Sequence, residues 1–151
     1  MFAERAEMIV GRYPNARRAL VVGCGPGGYL VDDLLARGVN AWGMDASAWA
    51  VSEAQAALGE RIVLGDGCVL AEYPPGPWDL VVSEDCLPCC DDGECVAMAS
   101  AMGQAGAAVL HIISCEHGDE HCAPLNWRTQ AEWRALLGVG DCFDAITREA
   151  F

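Results

Sequence analysis

One stretch of the chain, residues 19–30, constrains the fold more than any other. It reads Ala-Leu-Val-Val-Gly-Cys-Gly-Pro-Gly-Gly-Tyr-Leu, an apolar run that gives way to glycines and is followed by leucine and valine at helical spacing. This order predicts a buried strand, a glycine loop and a helix. Glycines permit a sharp turn at positive φ and let backbone N–H groups approach a ligand. The pattern becomes informative because an acid, Asp45, lies 20 residues after Gly25.

The strand and helix pattern repeats along the chain. Apolar runs predict further strands at 40–45, 61–65, 78–83, 106–114 and 142–147. Apolar residues at helical spacing, together with capping residues and glycines, predict helices over 2–12, from 30 to Gly38, over 47–58, over 91–102 and from Thr129 onward. Strands that alternate with helices in this way favour a parallel sheet covered on both faces.

We therefore predict one α/β domain over residues 1–151. It is a Rossmann-like three-layer α/β/α sandwich with a mostly parallel sheet that is shortened at its C-terminal end. Its parts are a leading helix over 2–12, a core over 18–138 and a short C-terminal segment over 139–151.

Polar segments follow each of the first four predicted strands. They are Gly23-Cys-Gly-Pro-Gly, Asp45-Ala-Ser, Asp66-Gly-Cys and Ser83-Glu-Asp-Cys. Right-handed crossovers bring the carboxyl ends of parallel strands to one crevice. One carboxylate there can accept hydrogen bonds from the vicinal hydroxyls of a ribose, and a second can accept one from an exocyclic amine. Because the chain contains no lysine, the pattern predicts an adenosine site without a phosphate clamp.

These four motifs, in this order, resemble those of the class I S-adenosylmethionine-dependent methyltransferases, over about residues 18–138. The resemblance implies that the glycine loop passes the methionine portion of the cofactor, that Asp45 binds the ribose hydroxyls and that Asp66 lies near the adenine amino group. The segment 78–84 resembles the fourth strand and the start of the active-site loop. The cofactor-binding residues implied are Gly23, Cys24, Gly25, Gly27, Asp45, Ala46, Asp66, Gly67, Ser83 and Glu84.

The chain departs from the family pattern in two ways. The family usually has an acid two residues before the first glycine, where it helps to anchor the amino-acid end of the cofactor, and here that residue is Val21. Family members also continue through a sixth and a seventh strand, the last antiparallel, whereas 13 residues follow Gly138. With these strands reduced or missing, we expect a homodimer contact, a partner methyltransferase or a rearranged edge to cover the sheet.

The resemblance implies a methyltransferase that acts on a small molecule or an exposed side chain. Methyl transfer needs proximity and in-line geometry, and it needs a general base only where the nucleophile carries a proton. The candidate bases near the crevice are Glu84, Asp85 and His117.

Two other functions stay open at this point. Val21 and the short C-terminal segment are compatible with a noncatalytic S-adenosylmethionine-binding module that completes or regulates a partner. The glycine loop with Asp45 is also compatible with an NAD-dependent oxidoreductase domain, although that function leaves Asp66 and the loop after Ser83 unexplained.

Cysteines and histidines concentrate after the fourth and fifth predicted strands. They are Cys86, Cys89, Cys90, Cys95, His111, Cys115, His117, His121 and Cys122. These residue types suit zinc, but the spacing fits no standard zinc pattern, and we predict no metal. A covalent cysteine mechanism is also disfavoured, because the required Pro-Cys pair, here Pro88-Cys89, comes about two positions late.

Composition narrows the range of partners. The net charge is −13, and all nine basic residues are arginines. A negative field of this size repels phosphate backbones, so nucleic-acid binding is disfavoured. No apolar stretch approaches the roughly 18 to 20 residues that cross a bilayer, and the first residues lack a secretory signal. We therefore expect a cytoplasmic protein that does not bind membranes.

Overall fold

The computed structural model describes residues 2–70, 76–113, 128–138, 140–144 and 150. Its helices and strands, in chain order, are α1 (Phe2–Arg12), β1 (Arg18–Val22), α2 (Tyr29–Ala36), β2 (Asn40–Asp45), α3 (Ala48–Leu58), β3 (Ile62–Leu64), β4 (Trp78–Glu84), α4 (Asp92–Ala105), β5 (Gly106–Ile113), α5 (Gln130–Leu137) and β6 (Asp141–Asp144). The six strands form one sheet in the order β3-β2-β1-β4-β5-β6, and every neighbouring pair is parallel.

Each face of the sheet has its own apolar core. In β1, Ala19 and Val21 join a cluster with residues of α1, α2 and α3, whereas Leu20 and Val22 join a cluster with residues of α4 and α5. This alternation follows from the two-residue period of a strand. The continuous apolar run of β1 is therefore explained by burial on both faces, and the predicted three-layer architecture is confirmed.

Local chemistry sets the starts of α3, α4 and α5 where the sequence predicted them, whereas α4 continues to Ala105, three residues beyond its predicted end. Ser47 accepts a hydrogen bond from the N–H of Ala50 at the start of α3. Asp91 and Glu94 form a reciprocal capping box at the start of α4, and Thr129 forms one with Glu132 at the start of α5. These contacts satisfy N–H groups that have no partner within the helix.

The C-terminal end of the sheet is short, as predicted. Strand β6 spans Asp141–Asp144 rather than the predicted 142–147, and residues 145–147 lie outside the described part of the chain. It pairs in parallel with β5, with Cys142 opposite His111. Phe143 also forms an isolated antiparallel bridge with Ala150. No helix among the described residues is long and apolar enough to cross a membrane.

Candidate active site

A cavity of about 420 Å³ opens at the carboxyl ends of β1, β2 and β4. It is lined by Val22, Gly23, Met44, Asp45, Ala46, Gly65, Gly67, Glu84, Asp85, Cys86, Cys89, Cys90 and Met98. This volume lies in the range of small-molecule sites, roughly 300 to 1,000 Å³. Its position at the carboxyl edge, beside β1, is the one that the topology of an open α/β sheet favours for a ligand.

Asp45, the last residue of β2, is held by the backbone on both carboxylate oxygens. The N–H of Gly25 donates to Oδ2 at 2.9 Å, and the N–H of Ser47 donates to Oδ1 at 2.9 Å. Each carboxylate oxygen has two lone pairs, so both can accept a second hydrogen bond. The carboxylate is therefore fixed in the cavity wall with capacity left for a diol.

Gly23 requires the absence of a side chain. Its φ is +75°, and a Cβ there would lie 2.5 Å from the Cβ of Cys86. The N–H groups of Gly23 and Cys24 both donate to the carbonyl of Met44, at 2.8 and 3.1 Å. The start of the loop is thus attached to the end of β2 and packed against the segment that follows β4.

The other predicted loop residues lie outside the cavity lining. Cys24 is buried in the first core, where burial raises the pKa of its thiol to about 12. Gly25 supports Asp45 through its N–H, and Gly27 lies against the ring of Tyr29. These residues shape the loop, and their contact with a cofactor stays a prediction.

Asp66, the second predicted cofactor-binding carboxylate, does not line the cavity as Asp45 does. Asp66 is exposed, and its side chain accepts a hydrogen bond from the N–H of Cys68 at 2.8 Å. Its neighbours Gly65 and Gly67 line the cavity, but Asp66 does not. The structure thus brings the loop after β3 to the site with the Asp66 side chain turned to its own backbone.

Ser83 and Glu84 end β4 on opposite faces of the sheet. Ser83 is fully buried, and its Oγ lies 2.9 Å from Nδ1 of the equally buried His111. Ser83 lies outside the cavity lining, and its contact with a cofactor stays a prediction. Glu84 lines the cavity and is 7% exposed.

An arginine that the sequence did not single out contacts the two acids at the end of β4. Arg5 of α1 donates to Oε1 of Glu84 at 3.0 Å and to Oδ2 of Asp85 at 3.3 Å. Burial raises the pKa of Glu84 to about 7, although Arg5 opposes that shift. A signal for Arg5 existed, because it lies beside Ala6 and four residues before Ile9, on the apolar stripe of α1.

Three cysteines also line the cavity, which the sequence did not predict. They are Cys86, Cys89 and Cys90. The Sγ of Cys86 lies 3.8 Å from Sδ of Met98, and burial raises the pKa of the Cys86 and Cys90 thiols. A raised pKa disfavours thiolate chemistry at Cys86 and Cys90.

The histidines and cysteines of the sequence were considered as metal ligands, and His117 was also a candidate base. Within the described residues, no group of three or more His, Cys, Asp or Glu side chains is suited to a metal ion. The candidate base His117, with Cys115, His121 and Cys122, lies outside the described residues.

Fold and site together define an α/β protein with a cavity at the carboxyl edge of its parallel sheet and a carboxylate, Asp45, fixed at the end of β2. Residues 20–108, more than half of the chain, match the family described as "Methyltransferase domain". The chain belongs to this methyltransferase family. S-adenosylmethionine is accordingly its cofactor, which confirms the resemblance and disfavours NAD.

Solved methyltransferase structures share the fold at low sequence identity. The magnesium protoporphyrin IX methyltransferase of Synechocystis PCC 6803 has a TM-score of 0.67 and 19% identity, over 90% of this chain and 71% of its own. DesVI of Streptomyces venezuelae has a TM-score of 0.63 and 19% identity, over 81% and 52%. An amino pentose methyltransferase from Micromonospora echinaspora, solved with S-adenosylmethionine, has a TM-score of 0.60 and 24% identity, over 71% and 45%.

The chain thus spans about half the length of the last two proteins. No protein of curated function matches it in sequence.

Proposed function

We propose that the chain is an S-adenosylmethionine-dependent methyltransferase that transfers a methyl group to a small molecule or an exposed side chain. The main support for this proposal is the position of Asp45. Two backbone N–H groups fix its carboxylate in the wall of a cavity of about 420 Å³. This arrangement suits a ribose diol, and family membership supplies the identity of the nucleoside.

The residues of the cavity fit the parts of this cofactor. Asp45 would accept from the ribose hydroxyls, and Gly23, which has no side chain, would let the ligand pass close to the backbone. Val22, Met44 and Met98 provide apolar surface for an adenine ring. When bound, the cofactor supplies a methyl group made electrophilic by the sulfonium.

The same edge carries groups that could serve an acceptor. Asp85 lines the cavity, and its side chain is 32% exposed, so an incoming nucleophile can reach it. It is the better placed general base, because Glu84 is almost completely buried. The net charge of −13 disfavours polyanionic acceptors.

A turnover assay tests the proposal. Some solved neighbours are named for their acceptors, which include an amino pentose, magnesium protoporphyrin IX and a glycopeptide, so amino sugars, porphyrins and peptides form the first acceptor panel. We expect release of S-adenosylhomocysteine that depends on one acceptor class. The variant Asp85→Asn should slow that release by a larger factor than it weakens cofactor binding. Binding of NAD in the absence of any binding of S-adenosylmethionine would contradict the proposal.

A second candidate function is a noncatalytic S-adenosylmethionine-binding module. It is favoured by Val21, which is fully buried in the first core and places no carboxylate in the site. Cofactor binding with no release of S-adenosylhomocysteine across the panel, alone or with added methyltransferase partners, would favour this candidate over the first.

A further inference from the structure

We propose that the carboxyl edge of the sheet is a docking surface for a basic polypeptide. The inference rests on the proposed function and deepens it, because it names the partner that presents the methyl acceptor. Of a small molecule and an exposed side chain, it selects a side chain on a cationic chain. Two observations support it: the separation of charge between the two edges of the sheet, and the position of the exposed apolar side chains.

The described helices all begin at the edge of the sheet where the cavity opens. Neighbouring strands are parallel throughout the sheet, so a helix that joins two of them begins at the carboxyl edge and ends at the amino edge. Helix α1 runs the same way. Arg5 near its start contacts Glu84 at the end of β4, whereas Arg12 at its end contacts Asp141 at the start of β6. The helix ends therefore assign charged side chains to one edge or the other.

Charge is divided between the two edges. Exposed acids lie in the first turn of α2, in the loop after β3 and at the start of α4, and they are Asp32, Asp66, Asp91 and Glu94. Exposed arginines lie instead at the amino edge, and they are Arg12, Arg17, Arg37 and Arg134. The described arginines at the carboxyl edge are Arg5, which is buried against Glu84 and Asp85, and Arg128, which is half-buried and paired with Asp92. Cations are therefore attracted to the edge that contains the cavity.

Helix dipoles explain only part of this separation. A helix dipole favours acids in the first turn and bases in the last turn. Asp66, however, lies in a loop, and Asp45 ends a strand. The hydrogen-bond donors to Asp66, Asp91 and Glu94 are backbone N–H groups, which are neutral and leave the negative charge in place. In a chain with a net charge of −13, this edge therefore keeps an uncompensated negative surface.

Exposed apolar side chains lie at the same edge. Within the described residues, the large apolar side chains that are exposed are Tyr29, Trp49, Leu64, Val69 and Val96. Each lies in the first two turns of a helix, at the end of β3 or in the loop that follows it. Trp49 is 66% exposed, and Leu64 and Val69 flank Gly65 and Gly67, which line the cavity. Exposed apolar side chains bordered by charged ones are typical of protein interaction surfaces.

A basic polypeptide complements both features. Its lysine and arginine side chains are attracted by the acids, and they also bind the faces of exposed aromatic rings such as that of Trp49. Apolar residues between them cover Leu64 and Val69. The charged and apolar side chains belong to α2, α3, the loop after β3 and α4, a wider surface than a single small cation contacts. The docked chain lies across the mouth of the cavity, so one of its side chains can reach Asp85, whose side chain is 32% exposed.

Fluorescence anisotropy with labelled synthetic peptides tests the surface. A peptide composed of lysine, arginine and leucine should bind to the wild-type protein, and a peptide with glutamate in place of lysine and arginine should not. The affinity for the basic peptide should fall about tenfold or more between about 0.1 M and about 1 M salt, where the Debye length falls from about 10 Å to about 3 Å. In the turnover assay, basic peptides should be methylated in preference to acidic ones.

Matched variants locate the surface. Asp32→Asn combined with Asp91→Asn removes charge from the carboxyl edge while asparagine still caps α4, and it should weaken peptide binding about threefold to tenfold. The control, Glu7→Gln combined with Glu60→Gln, removes the same net charge from α1 and from the turn before β3, and it should bind as the wild type does. Trp49→Ala should weaken binding about tenfold, whereas Trp49→Phe should retain most of it.

Calorimetry with S-adenosylhomocysteine separates this inference from the proposed function. If S-adenosylhomocysteine binds but the basic peptide does not, the inference is overturned and the proposed function stands. Equal weakening in the carboxyl-edge variant and its control would also overturn it, because net charge alone would then explain the binding. So would spermine binding as tightly as the peptide, or methylation confined to a small molecule. If S-adenosylhomocysteine does not bind, the proposed function fails, whereas binding of the basic peptide still supports the docking surface.

Discussion

At the scale of single residues, the site depends on a glycine for its shape. A methyl group at Gly23 would meet Cys86 at 2.5 Å, and the φ of +75° disfavours any other residue. Gly23→Ala should therefore lower the free energy of unfolding by about 2 to 5 kcal/mol. The control Gly103→Ala lies in α4 with open space around it and should be stabilised by about 0.5 to 1 kcal/mol. Urea denaturation measures both, and equal effects would contradict this explanation.

Glu84 should make stability depend on pH. Its folded-state pKa of about 7 exceeds its ordinary value of 4.5, so the folded protein binds more protons than the unfolded chain between these values. Stability from this group is then present below about pH 4.5 and lost as the pH rises to about 7. Glu84→Gln should equal wild type near pH 4.5 and exceed it by about 3 kcal/mol above pH 7. A difference that does not vary with pH would contradict this.

The sequence predicted residues of the site where a motif places them beside a strand end. Asp45, Gly23 and Glu84 were predicted in this way and line the cavity. Arg5 was not predicted, because its contact with Glu84 joins residues 79 positions apart. The sequence also did not predict the side-chain direction of Asp66, because that direction is set by a local hydrogen bond from the N–H of Cys68.

At the scale of elements, capping contacts decide where helices begin. The carboxylate of Asp91 accepts a hydrogen bond from the N–H of Glu94 at 2.8 Å, and the carboxylate of Glu94 accepts one from the N–H of Asp91 at 2.8 Å. Asp91→Ala should therefore cost about 1 kcal/mol of stability. Glu53→Ala on the exposed side of α3 is the control and should change stability by less than about 0.5 kcal/mol. If thermal unfolding shows the same loss of stability in Asp91→Ala and Glu53→Ala, the capping box does not stabilise α4.

Strong periodicity explains which elements were predictable. The strands β2, β3, β4 and β5 agree with the predicted ranges to within one residue at each end, because each contains a run rich in apolar residues. The end of the last strand was not predictable in the same way. Its pattern is short, and its pairing with β5 is set by the sheet rather than by local sequence.

At the scale of the whole molecule, the edge of the sheet at β6, where Phe143 also forms an isolated bridge with Ala150, leads to a prediction about assembly. We propose that a second copy or a partner methyltransferase covers it, since strand edges are prone to pairing. Sedimentation velocity of the purified chain should show a dimer, or a complex once the partner is added. A monomer that stays monomeric with candidate partners would contradict the proposal.

Charge at this scale also predicts what the protein does not bind. With a net charge of −13, it should not retard duplex DNA at low salt in an electrophoretic assay. Salt-sensitive retardation of the DNA would contradict that expectation.

We expect the cavity to hold the cofactor through the carboxylate of Asp45. Calorimetric titration of S-adenosylhomocysteine into the wild-type protein, Asp45→Asn and the control Asp66→Asn measures this contact. We predict binding at one site in the wild type, a loss of about 1 to 3 kcal/mol in Asp45→Asn and a smaller loss in Asp66→Asn. Unchanged affinity in Asp45→Asn, or no binding by the wild-type protein, would contradict the claim.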